Sequence, residues 1–168
     1  MLSTMTEVLF YHLERSRLED VLPQLVQKTL ERGWRAVVQA VDPNRLKVLS
    51  ELLWQWRDDE FLAHGSGTDG NTELHPVWLT TGNDNPNASN IRFLVDGAEY
   101  EDPAGLDRLI ILFDGNCEGA VAAARDKWKG ISSKGFNATY WQQDERGRWI
   151  KKAESGSDQL RQESDTER

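Results

Sequence analysis

The residues of this chain best equipped for chemistry stand together in AARDKWKGISSKGFNATYW (123–141), where Arg125, Lys127, Lys129 and Lys134 are interleaved with Trp128, Phe136 and Trp141. On a helix, Arg125, Trp128 and Lys129 occupy positions i, i+3 and i+4 and so share one face. A guanidinium and an ammonium beside an indole make a wall with a defined preference. The ring offers apolar area to an anchor side chain, and the cations favour a carboxylate or an acidic peptide next to it. The same residue types also suit a plainer arrangement, with Trp128 in the core and the cations solvated. Spacing alone does not choose between the two.

The charge pattern makes the stretch stand out. The chain has 168 residues and a net charge of -8. Residues 1–119 hold 10 Lys/Arg against 20 Asp/Glu, residues 120–152 hold 8 against 3, and the last 16 residues hold 2 against 5. An acidic surface of that extent argues against a protein that grips a nucleic-acid backbone broadly. A local positive segment points instead to a small anionic target.

Other candidate chemistry is thinner. There is no Gly-x-x-x-x-Gly-Lys-Ser/Thr, and YHLERS follows the first strand where Gly-x-Gly-x-x-Gly would cradle a pyrophosphate. HGSGTDG (64–70) has the glycines of a phosphate loop but no following lysine. Asp69, Asn71 and Glu73 alternate like the start of a calcium loop, without the glycine and the final glutamate that such loops need. His12, His64 and His75 have no cysteine partners at metal-ligand spacing, because Cys117 is the single cysteine. Cys117 as a nucleophile lacks a histidine nearby in sequence, and Asp114 as a metal ligand lacks a second carboxylate. No cofactor and no catalytic residue is assigned. The lone cysteine fits a reducing compartment, and neither an export signal nor an apolar run of membrane-crossing length is seen. A cytoplasmic protein without membrane contact is expected.

The elements that must position these residues read as follows. EVLFYH (7–12) is a short buried strand, and Leu18 to Glu31 is a helix with Leu18, Leu22, Leu25, Val26, Thr29 and Leu30 on one face and Gly33 at its C-cap. AVVQAV (36–41) is a strand. DPNRLKVLSELLWQW opens a second helix with Asp42 as N-cap and Pro43 in the first turn. VWLTT, IRFLV (91–95) and RLIILF (108–113) are strands, and 64–76 and 82–90 are polar loops. A helix from Glu118 to Ser132 ends near Gly135, and 138–152 forms a hairpin around Glu145-Arg146-Gly147. The alternation of strand and helix predicts one α/β domain over 1–152 with a mainly parallel sheet flanked by helices, of nucleotide-binding-like topology without a phosphate loop. Residues 153–168 read as a polar, disordered tail.

Over residues 6–141 the chain resembles the chi subunit family of bacterial DNA polymerase III. The resemblance rests on EVLFYHL, LLW (52–54) followed by EFLAH (60–64), HPVWLT, LIILFDG and ARDKWKGISSKGFNATYW in that order. It implies a non-enzymatic accessory subunit of the clamp-loader complex. Such a subunit binds a small partner, psi, and the acidic, Phe-terminated C-terminal tail of single-stranded DNA-binding protein, and it meets DNA only indirectly. The family's tail-binding Arg, aromatic and Lys fall on Arg125, Trp128 and Lys129, with Trp128 where tyrosine is common. Its psi-contacting Trp and Phe fall on Trp54 and Phe61. Two other readings remain beside it: a direct single-stranded DNA binder using Trp128, Trp141 and the basic segment, and a nucleotide-dependent α/β enzyme.

Overall fold

The computed structural model describes residues 6–54, 65–66, 76–82, 89–100 and 105–155. The chain alternates as expected: β1 (Glu7–Leu13), α1 (Leu18–Glu31), β2 (Ala36–Gln39), α2 (Pro43–Trp54), β3 (Gly65–Ser66), β4 (Val77–Thr80), β5 (Ile91–Leu94), β6 (Arg108–Asp114), α3 (Glu118–Ser133), β7 (Asn137–Gln143) and β8 (Trp149–Ser155). They build one eight-stranded sheet in the order β3-β4-β2-β5-β6-β1-β7-β8. Every pairing is parallel except the β7–β8 hairpin at the edge. β2, β4 and β5 are buried at every position, as expected for parallel strands covered on both faces.

Strand alternation divides the core in two. Leu9 and Leu13 of β1, with Ile110 and Leu112 of β6, face α1 and α2, where Leu22, Val26, Leu49 and Leu53 are fully buried. Val8 and Phe10, with Leu109, Ile111 and Phe113, face α3 through Ala124. Local signals set the ends. Gly33 and Gly135 take φ of +79° and +86° just past α1 and α3, a conformation that costs glycine little. The Asp42 carboxylate accepts the Asn44 amide at 2.9 Å and opens α2.

Three expectations need adjustment. The loop expected over 64–76 contains the two-residue strand β3, paired to β4. β2 stops at Gln39, and Val41 beyond it is 60% exposed. Ala153, Glu154 and Ser155, read as the start of the tail, continue β8 and pair with Tyr140, Thr139 and Ala138. Their polar, Lys-rich approach (Lys151, Lys152) is the composition of a solvent-facing edge strand, which composition alone does not separate from a tail. Residues 156–168 lie outside the described residues.

Candidate functional site

The site is built on α3 and the strands beneath it. Only Ala124 of α3 is fully buried, so most of this helix meets solvent or lies half-covered. Arg125 and Lys129 are exposed, and neither has an ion-pair partner among the described residues. Trp128 is half-buried. Its ring stands edge-on to the fully buried Phe10 with centroids 5.4 Å apart, and edge-on to Tyr140 at 6.1 Å. The three residues are therefore brought together on one helix. One side of the indole packs on the sheet, and the cations beside it stay in water.

Beneath this wall lies a polar cluster that sequence reasoning did not find. Tyr140 Oη is 2.6 Å from His12 Nδ1. His12 Nε2 lies 2.8 Å from Glu14 Oε1, without good hydrogen-bond alignment, and Gln142 Nε2 donates to the same carboxylate oxygen at 2.8 Å. Gly115 makes room for it, because a Cβ at that position would overlap the His12 ring. Burial raises the Tyr140 hydroxyl's pKa, and the nearby charge of Arg125 partly offsets that rise. Tyr140 thus joins the His12–Glu14 cluster to the cationic wall. The alternation of β7 was the available signal: Tyr140 pairs in register with Phe10.

The aromatics of 123–141 do not share one surface. Trp141 pairs in register with Tyr11 and stacks on it at 6.4 Å, on the α1/α2 face, whereas Trp128 and Phe136 pack on the α3 face. A base-stacking platform using both Trp128 and Trp141 has no common plane here.

Two hollows flank the other side of α3. A crevice of about 550 Å³ opens beyond the carboxyl ends of β1, β5 and β6. The helices after β1 and β6 leave to opposite faces there, where ligands of open α/β sheets commonly bind. Its best-placed cation is committed: Arg45 donates to Asp96 at 2.6 Å and to Glu19 at 3.1 Å. A second groove of about 520 Å³ lies between α3 and the segment Glu99–Tyr100. Lys127 lines both. Its ammonium donates to Ala98 O at 3.0 Å, and burial lowers its pKa. Among the described residues, no group of three or more His, Cys, Asp or Glu is placed to hold a metal. Cys117 is exposed at the N-cap of α3, and Asp114 Oδ1 accepts the Asn116 amide at 2.9 Å. Trp54 is the last residue of α2, with its side chain outside the described residues, as is Phe61 entirely.

A family model described as "DNA polymerase III chi subunit, HolC" matches residues 5–139. The chain belongs to this family. The match takes in α3 with Arg125, Trp128 and Lys129, and also Trp54 and Phe61. A relative, "Probable DNA polymerase III subunit chi" of Rickettsia prowazekii (strain Madrid E), is 22% identical over 91 residues, 54% of this chain and 55% of the relative. The alignment therefore spans about half of each protein. Family membership agrees with the α/β sheet found here. No helix among the described residues is long and apolar enough to cross a membrane.

Proposed function

We propose that this chain is a clamp-loader accessory subunit that binds the acidic, Phe-terminated tail of single-stranded DNA-binding protein, and that it works by recognition with no bond made or broken. The observation that carries this reading is the pair of exposed cations Arg125 and Lys129 beside Trp128, without an ion-pair partner among the described residues, in a chain of net charge -8. An acidic tail finds two counter-charges together there, in the segment 120–152 that holds 8 Lys/Arg against 3 Asp/Glu. Exposed ion pairs contribute only about 0–1 kcal/mol each, so an apolar anchor must supply most of the affinity. A single tail then binds with micromolar strength, on the order of -8 kcal/mol. Several tails on one oligomer strengthen the tether by avidity. Membership of the chi subunit family supports the same reading. We assign the folded unit to 1–152 together with the end of β8 (153–155), with Trp54 and Phe61 as the contact for a psi partner.

The test is a titration of an acidic peptide ending in Pro-Phe with a free carboxylate. Arg125→Ala and amidation of the peptide are each expected to weaken binding several-fold, with clear sensitivity to salt. Equal affinity of wild type and Arg125→Ala would remove the site assignment. Anisotropy of a labelled oligonucleotide with and without single-stranded DNA-binding protein separates bridged from direct DNA contact.

A further inference from the structure

The polar groups beneath α3 form a line that leads to the cationic wall. Glu14 is its outer end, with Gln142 Nε2 fixing the carboxylate at 2.8 Å. His12 comes next. Its buried ring lies between Gly115, where any side chain would overlap it, and the rings of Phe113 and Tyr140, with centroids 5.2 and 5.8 Å away. Tyr140 Oη closes on Nδ1 at 2.6 Å, and the Tyr140 ring meets Trp128, three residues on from Arg125 along the same helix face. An aliphatic side chain would fill this interior without polar atoms to satisfy. His12 instead puts a buried Nε2 2.8 Å from Glu14 Oε1 without good alignment.

This line can hold one proton or two. An ionised carboxylate only accepts, so the proton of a neutral His12 belongs on Nε2, facing Glu14, and Nδ1 accepts the Tyr140 hydroxyl. A second proton enters at Nδ1 and reverses that bond. Nδ1–H then donates to Oη, and the hydroxyl proton turns away from the ring. The charged ring pairs with Glu14 more strongly than the neutral one, and histidine is the side chain that makes this change between about pH 5 and 8. Among the described residues, the groups facing the ring are Glu14 just past β1, Tyr140 on β7 with Gln142 beside Glu14, and, beyond Tyr140, Arg125 on α3, whose charge acts on the Tyr140 hydroxyl. β6 supplies Phe113, while Asp114 alternates to the other face with its carboxylate on the Asn116 amide. A charged His12 offsets the carboxylate at the outer end of the line, which leaves the wall at Arg125 more attractive to an anion.

We infer that His12 is a positioning residue that makes the Arg125–Trp128–Lys129 wall proton-sensitive: a proton taken up at Nδ1 reverses the Tyr140–His12 hydrogen bond, offsets the Glu14 charge and tightens the hold of the wall on an acidic peptide. The inference rests on the peptide-binding reading above and adds its control by pH.

The experiment is calorimetric titration of the acidic Pro-Phe peptide against the full chain at pH 8 and pH 6, in two buffers of different ionisation enthalpy. The peptide's carboxylates stay ionised over that range, so a change in affinity reports on the protein. Wild type is expected to bind about threefold more tightly at pH 6, the scale of one added charge acting across a partly screened distance, and to take up a fraction of a proton on binding. The ratio of the two dissociation constants within each variant is the readout, so that a uniform loss from imperfect packing cancels. In His12→Gln the ratio falls to about one and the proton uptake disappears. Glu14→Gln changes only a partly exposed side chain and moves the tightening to lower pH, because the charge that favours the protonated ring is gone. A ratio of one in wild type, or an unchanged ratio in either variant, overturns the proton switch, and with Arg125→Ala still impaired it leaves the peptide-binding reading standing. No binding of the peptide to wild type at either pH overturns both.

Discussion

The two faces of the sheet are built for different ends. The α1/α2 face has a mainly aliphatic centre in which Leu22, Val26, Leu49 and Leu53 lock against Leu9, Ile110 and Leu112, with Phe93 buried among them and Tyr11, Trp141 and Trp149 packed at its margin. The α3 face is aromatic and half-covered, with Phe10, Trp128 and Tyr140 in edge-on and stacked contact, a histidine–carboxylate cluster below and cations above. Aliphatic packing fills space without polar demands and stabilises. Aromatic packing beside charges leaves specific surfaces that a partner can use. On the proposed function, strand alternation separates stability from recognition: odd residues of β1 face the α1/α2 core and even residues face α3.

The sharpest way to break this comparison is to weaken each face in turn. Leu49→Ala removes a fully buried side chain from the aliphatic face and is expected to cost about 3 kcal/mol in a urea unfolding series, with peptide affinity unchanged once the variant is folded. Trp128→Ala is expected to cost less, about 2 kcal/mol, because the ring is only half-buried, and it also lowers affinity. Trp128→Phe restores most of the stability. A larger loss from Trp128→Ala than from Leu49→Ala would show that the α3 face is the main core. Gly115→Ala drives a methyl into the His12 ring and is expected to cost about 1–2 kcal/mol by overpacking. Its NMR spectrum is expected to shift at His12, Tyr140 and Trp128 together, as befits one connected cluster.

How much of this was legible beforehand depends on the range of the interactions. The elements were readable because their signals are local. Asp42-Pro43 starts a helix, Gly33 and Gly135 end helices at positive φ, and VWLT and IRFL are apolar runs of strand length. Arg125, Trp128 and Lys129 were legible as a helical face for the same reason. The groove was not, since Leu94, Leu109 and Phe136 come from β5, β6 and the turn after α3 and meet only through sheet order. The buried Arg92 inside an apolar strand was equally unreadable, because its partners Gln39 and Gly82 lie on other segments. The separation of Trp128 from Trp141 required knowing that one is helical and the other points to the far face of β7.

The smallest expected effect concerns the clamp that ties the starts of α1 and α2 to the turn after β5. Arg45 reaches Glu19 and Asp96 together. Partial burial alone raises the Glu19 carboxyl's pKa, but the helix-start backbone hydrogen bond and the Arg45 guanidinium outweigh it and leave it below the ordinary glutamate value. A carboxyl with a lowered folded pKa stabilises fully above its unfolded value, near 4.3. That stabilisation disappears as pH falls through the lower folded value. Glu19 and Asp96 are each about a third exposed or more, so solvent screening keeps the contribution under about 1 kcal/mol. Urea midpoints of wild type and Arg45→Met at pH 7 and pH 3 measure it as a double difference. Wild type is expected to lose slightly more stability on acidification than the variant, because only wild type has the charge pair to lose. An equal loss in both would mean that Arg45 acts by packing its stem over the crevice and not by its charge.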